Sequence, residues 1–92
     1  MDLSEAKTIL HVDNDYNDTL ITALIRATES YIKLRTGLNS EEQANEEMCH
    51  AAQSMLLELW YYKNSDDRTI NRAIKDILGA VQVKKSVDEE IA

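Results

Sequence analysis

The chain has 92 residues and a formal net charge of −7, from 17 acidic and 10 basic residues. Two glycines, no proline, no phenylalanine and one cysteine point to a single helical domain and exclude a disulfide-knotted scaffold. No apolar run approaches the roughly 20 residues of a membrane span, residues 1–5 lack the apolar region of a signal peptide, and an acidic chain is poorly equipped for the Lys/Arg contacts of a phosphate backbone.

The first predicted helix is short. Asp2 and Glu5 have the capping-box spacing, and Leu3, Ala6, Ile9 and Leu10 repeat at helical intervals up to about His11. The Asx-rich run at 13–18 follows, and Asn14 or Asp15 is expected to cap the second helix. In that helix two adjacent stripes together make an apolar face about as wide as two partner helices need. One is Tyr16, Leu20, Leu24, Ala27, Tyr31 and Leu34, and the other is Ile21, Ile25, Thr28 and Ile32. Gly37 after Thr36 reads as a C-terminal stop, with Lys33 and Arg35 in a last turn that favours cations.

A third helix is expected from an Asn39 or Ser40 cap through to Tyr62. It is apolar on nearly every side near its end, where only Glu58 interrupts residues 55–62. Such a helix is either central or covered by another chain. Residues 64–67 read as a turn and cap. A fourth helix then carries Ile70, Ala73, Ile74, Ile77, Leu78 and Val81, with Gly79 expected to fray or end it. The expected fold is therefore an all-α compact bundle of about four helices, two long and two short. A helical domain is expected over 1–80, and a mobile charged tail that orders on assembly over 81–92.

None of the reactive residue types forms a usable constellation. Asp13, Asp15 and Asn17 match the first ligands of a calcium-binding loop, but Asp18 and Leu24 stand where it needs glycine and glutamate. Cys49 and His50 are adjacent and so point about 100° apart on a helix, which separates a nucleophile from its base. The acid pairs 41/42 and 46/47 lack a Glu-x-x-His partner and read as a solvated face. No catalytic residue, metal site or cofactor is expected. Trp60, Tyr61 and Tyr62 cannot all face one core, and aromatic residues of these types dominate protein interfaces, so intersubunit burial is expected there.

The order of these elements resembles the head-to-tail connector (adaptor, head-completion) proteins of long-tailed phages and prophages. The resemblance is carried by the Asp-rich turn at 13–20, by Ala27 with Tyr31-Ile32 in the second helix, by Thr36-Gly37, by the aromatic end of the third helix at 56–64, and by the helix at 70–78. It covers about residues 3–78. It departs where Asn39-Ser40 replaces the proline many members place before the third helix, and where Ser65-Asp66-Asp67 follows Asn64 in place of Glu-Asn-Arg.

The resemblance implies a non-enzymatic structural subunit. Such subunits form a ring, expected to be a dodecamer in the virion, between the portal protein and the tail or stopper protein. DNA passes through the lumen without specific binding, and no membrane is involved. The expected location is the virion head–tail interface, with assembly in the host cytoplasm. The candidate contacts between subunits are Leu57, Trp60, Tyr61 and Tyr62 on one patch and Arg26, Lys33 and Arg35 on the other. Asp2, Asp15, Gly37 and Ser40 are the candidate helix caps. Two other readings compete: a small helical protein-binding regulator of the antitoxin or anti-repressor kind, and a helix-turn-helix DNA binder using Arg68, Arg72 and Lys75.

Overall fold

The computed structural model describes residues 1–63 and 67–91. It contains five helices: α1 (Leu3–Leu10), α2 (Asp18–Thr36), α3 (Ser40–Ala44), α4 (Glu47–Tyr61) and α5 (Arg68–Ile91). The described residues contain no strand. The all-α expectation holds, with the third predicted helix divided into α3 and α4.

Local hydrogen bonding explains the boundaries. Asp2 caps α1, its Oδ1 accepting the Glu5 N–H at 2.8 Å. The helix ends at His11, whose left-handed backbone (φ 57°) returns its N–H to the carbonyls of Lys7 and Thr8. Asn14 then accepts the Tyr16 N–H in a short turn, and the cap of α2 is Asn17. Asp15 is thus not the cap: the turn consumes two more residues before helical geometry begins.

At its other end, α2 stops because Gly37 adopts φ 77°, a left-handed conformation that costs glycine little. Thr36 reinforces the stop. Its hydroxyl donates to the Ile32 carbonyl at 2.7 Å and accepts the Leu38 N–H at 3.1 Å. Asn39, not Ser40, caps α3. It forms a capping box in which its side chain accepts from Glu42 N and the Glu42 carboxylate accepts from Asn39 N. Ser40 is the first helical residue. α3 closes at Asn45, and Glu46 starts α4 by accepting the Met48 N–H.

Asp67 caps α5 by accepting the N–H groups of Thr69 and Ile70, each at 3.1 Å. Residues 64–66 of the expected turn lie outside the described residues. Gly79 does not end this helix. α5 continues through it to Ile91, and Val81, which the sequence places both at the end of the fourth helix's stripe and at the start of the charged tail, is buried in the main core. An added Cβ at Gly79 meets nothing within 4 Å. The residue is helical because Leu78 and Val81 on either side of it are anchored, which outweighs its roughly 1 kcal/mol propensity deficit.

The core explains the all-round apolar character of α4. Cys49, Ala52, Leu56 and Leu59 pack with Ile32, Leu38, Ile74, Leu78 and Val81. Leu57 joins a second cluster with Ala6, Leu10, Ile21 and Ile25. α4 therefore lies between α5 on one side and α1 on the other, with α2 packed against all three. Of the two stripes on α2, the one starting at Ile21 is buried and continues to Thr36. The other is divided: Tyr16, Leu20, Ala27 and Leu34 face water, while Leu24 and Tyr31 are partly buried against the two clusters.

Candidate assembly surface

The residues singled out from the sequence separate into three environments. Leu57 is completely buried by its own chain. It cannot line a subunit contact, because α1 and α2 already cover it. Trp60 and Tyr61 are half-buried and engaged internally. Trp60 meets Tyr31 edge-on with ring centroids 5.7 Å apart. Tyr61 stacks edge-on with Tyr62 at 5.0 Å, and its hydroxyl accepts a hydrogen bond from Asn17 Nδ2 at 2.8 Å. Tyr62 remains 52% exposed although its hydroxyl donates to the Leu10 carbonyl. These bonds tie the end of α4 to the end of α1 and the start of α2.

Arg26, Lys33 and Arg35 all lie on the exposed surface of α2. The Arg35 guanidinium stands over the Tyr31 ring, 5.3 Å from its centroid. A cation over an aromatic face is held by the ring quadrupole, so Arg35, Tyr31 and Trp60 form one continuous stack from solvent into the core.

The unpartnered apolar surface lies elsewhere. Tyr16 is 93% exposed, Leu20 49% and Leu34 87%. Ala23 and Ala27, also exposed, fall between Leu20 and Leu34 on the same helical face. A second exposed pair, Val83 (64%) and Val87 (46%), is spaced four residues apart on α5 and so shares a face. Sequence periodicity contained the α2 stripe but assigned it to the core. Two adjacent apolar stripes on one helix do not reveal which of them the rest of the chain covers.

On the side formed by α1, α3 and α4 there is a polar cleft of about 260 Å³ lined by Asp2, Glu5, Glu29, Gln43, His50 and Gln53, among others. His50 Nε2 lies 2.9 Å from Glu5 Oε1. Gln43 is buried and donates from Nε2 to the carbonyls of Leu38 (2.9 Å) and Glu29 (3.1 Å). Gln53 donates to the buried Thr28 hydroxyl at 3.1 Å, and that hydroxyl donates to the Ile25 carbonyl at 2.6 Å. Burial and the nearby Glu46 charge push the Cys49 thiol above its ordinary value, the opposite of what an activated nucleophile needs. Among the described residues no helix is long and apolar enough to cross a membrane.

The chain folds as a small helical domain with a self-contained core, exposed apolar residues on α2 and α5 and a buried cysteine. Its family is shown by comparison. The chain matches the phage gp6-like head-tail connector protein family over residues 1–87, and it belongs to that family. No curated protein and no solved structure gives a significant match. The family match extends past residue 78, where the sequence resemblance ended, and takes in the second half of α5.

Proposed function

We propose that this phage connector protein is the repeating subunit of a ring at the virion head–tail interface. The ring sits between the portal protein and the tail or stopper protein, is a dodecamer in the virion, and is built in the host cytoplasm. The observation that carries the reading is the water-facing apolar stripe of α2. A chain that can bury Ile21, Ile25 and Ile32 has a complete core, so Tyr16, Leu20 and Leu34 are surplus to its folding. Exposed apolar side chains that the core does not need mark an interaction face.

A closed ring needs two different complementary patches on each subunit. The α2 face, flanked by Arg26, Lys33 and Arg35, supplies one. The aromatic end of α4, where Trp60 and Tyr61 are half-buried and Tyr62 is half in water, extends the contact surface beside the start of α2, where Tyr61 bonds Asn17. Val83 and Val87 suit docking to the portal or to a neighbour. The acidic balance of the chain fits a lumen through which DNA slides, because like charge repels the phosphate backbone. The role requires no catalytic group.

Light scattering with negative-stain imaging of the purified protein, alone and with portal, tests this reading. Rings support it. A stable dimer bound to one unrelated protein would favour the regulator reading, and tight salt-dependent binding to duplex DNA would favour the helix-turn-helix reading.

A further inference from the structure

The polar cleft carries an inference that rests on the ring reading and deepens it. Asp2, Glu5 and Glu29 bring three carboxylates to the cleft. Each has one oxygen engaged: Asp2 Oδ1 with Glu5 N, Glu5 Oε1 with His50, and Glu29 Oε2 with the Ser40 hydroxyl. Each therefore keeps its other oxygen as an acceptor. Gln43 is a separate observation. It is 7% exposed, it lines the same cleft, and its Oε1 has no hydrogen-bond partner among the described residues. Both hydrogens of its amide are directed at carbonyls, so the orphaned oxygen is fixed by geometry and not by an amide flip. A buried acceptor left unpaired is costly, and this enclosed oxygen adds its partial negative charge to the cleft wall without itself being a contact for an incoming donor.

The carboxylates are too dispersed to ligate one ion: the described residues hold no group of three His, Cys, Asp or Glu side chains placed for a metal. A guanidinium spreads five N–H donors over a planar fork and suits such a set of acceptors. The chain carries a matching donor. Arg68, Arg72 and Lys75 are all exposed and lie on one face of α5, since positions four and three apart are neighbours. None of the three makes an ion pair among the described residues. α1 and α5 both pack on α2 and α4, yet α5 packs against neither α1 nor α3. No α5 residue lines the cleft, so cleft and basic stripe are two distinct surfaces of the subunit, as a head-to-tail contact requires.

We infer that the cleft of one copy receives the Arg72 side chain of a second copy, with Arg68 and Lys75 flanking it. Sedimentation velocity on the full chain tests this with a donor variant, R72E/K75E, and an acceptor variant, E5Q/E29Q. Thermal melts establish that each is folded, and the single changes R72S for the donor and E29Q for the acceptor stand in if a double variant is not. Each variant alone is expected to assemble roughly tenfold or more weakly than wild type. Mixed one to one, the two are expected to form a heterodimer that grows no further, because only one intact cleft meets one intact stripe. If wild type assembles and the variants assemble equally well, or the mixture recovers nothing, this contact is overturned and the ring reading stands. If wild type remains monomeric at high concentration, the ring reading falls and the contact falls with it.

Discussion

Trp60 and Tyr31 meet at an interplanar angle of 88° with centroids 5.7 Å apart, and Arg35 covers the outer face of that same tyrosine. The pair links α4 to α2 at the edge of the main core. The aromatic cluster that sequence reasoning assigned to a neighbour is therefore partly a fold determinant. Edge-to-face aromatic pairs contribute about 0.5–1.5 kcal/mol beyond the area they bury. Trp60→Ala is expected to lower monomer stability by about 2–4 kcal/mol, read by urea denaturation below the assembly concentration. Tyr62→Ala, which removes a half-exposed ring and one hydrogen bond, is expected to cost about 1–2 kcal/mol.

The two glycines give opposite predictions. Gly37→Ala forces a Cβ into a left-handed backbone at φ 77° and against Lys85 Nζ at 3.0 Å. The lysine end can move, so the loss is mainly conformational, about 1–2 kcal/mol. Gly79→Ala places a methyl in open space on a continuous helix and is expected to stabilise by about 0.5–1 kcal/mol. Thermal melts of the two variants should move in opposite directions. A destabilised G79A would mean that α5 is not helical at that point.

That contrast shows which parts of the fold were legible in the sequence. Asp2 and Gly37 act within their own turn, and short-range rules placed them. Asn17 was missed as a cap, and Asn39 was not separated from Ser40, because several Asx or Ser candidates stand side by side and the choice depends on where tertiary packing starts the helix. Gly79 misled for a related reason. Its local propensity argues for a stop, but Leu78 and Val81 are held by Ile32 and Leu56 across the bundle, contacts that no local window contains. The candidate site was less legible. The α2 stripe of Leu20 and Leu34 was visible but assigned inward, and the cleft around Gln43 joins residues of four helices that share no sequence signal.

Cys49 is 1% exposed and its thiol is raised by burial. Native protein is expected to resist alkylation, with labelling that appears only as urea unfolds the chain. The labelling midpoint should coincide with the loss of helix measured by circular dichroism. Rapid labelling without denaturant would show that α4 opens on its own.

Glu46 accepts a 3.0 Å hydrogen bond from Lys84, which, with the Met48 N–H, holds its carboxyl below the ordinary value. A carboxylate whose folded pKa lies below its unfolded one binds fewer protons in the folded state. Its stabilisation is present above the unfolded pKa and is lost as pH falls through the folded pKa. Wild-type stability is therefore expected to decline below about pH 4.5, and Glu46→Gln should make that acid limb shallower. An unchanged acid limb in the variant would show that the Lys84 contact does not persist in solution.

Assembly is read from the mass of the particle that the purified chain forms. Native mass spectrometry over a range of concentrations, with negative-stain imaging of the same samples with and without portal, measures it in one experiment. Closed rings of a single size are expected, favoured by portal and weakened when Leu34 on α2 or Tyr16 just before it is changed to serine. A chain that remains a monomer or dimer at high concentration with portal present would contradict the ring reading.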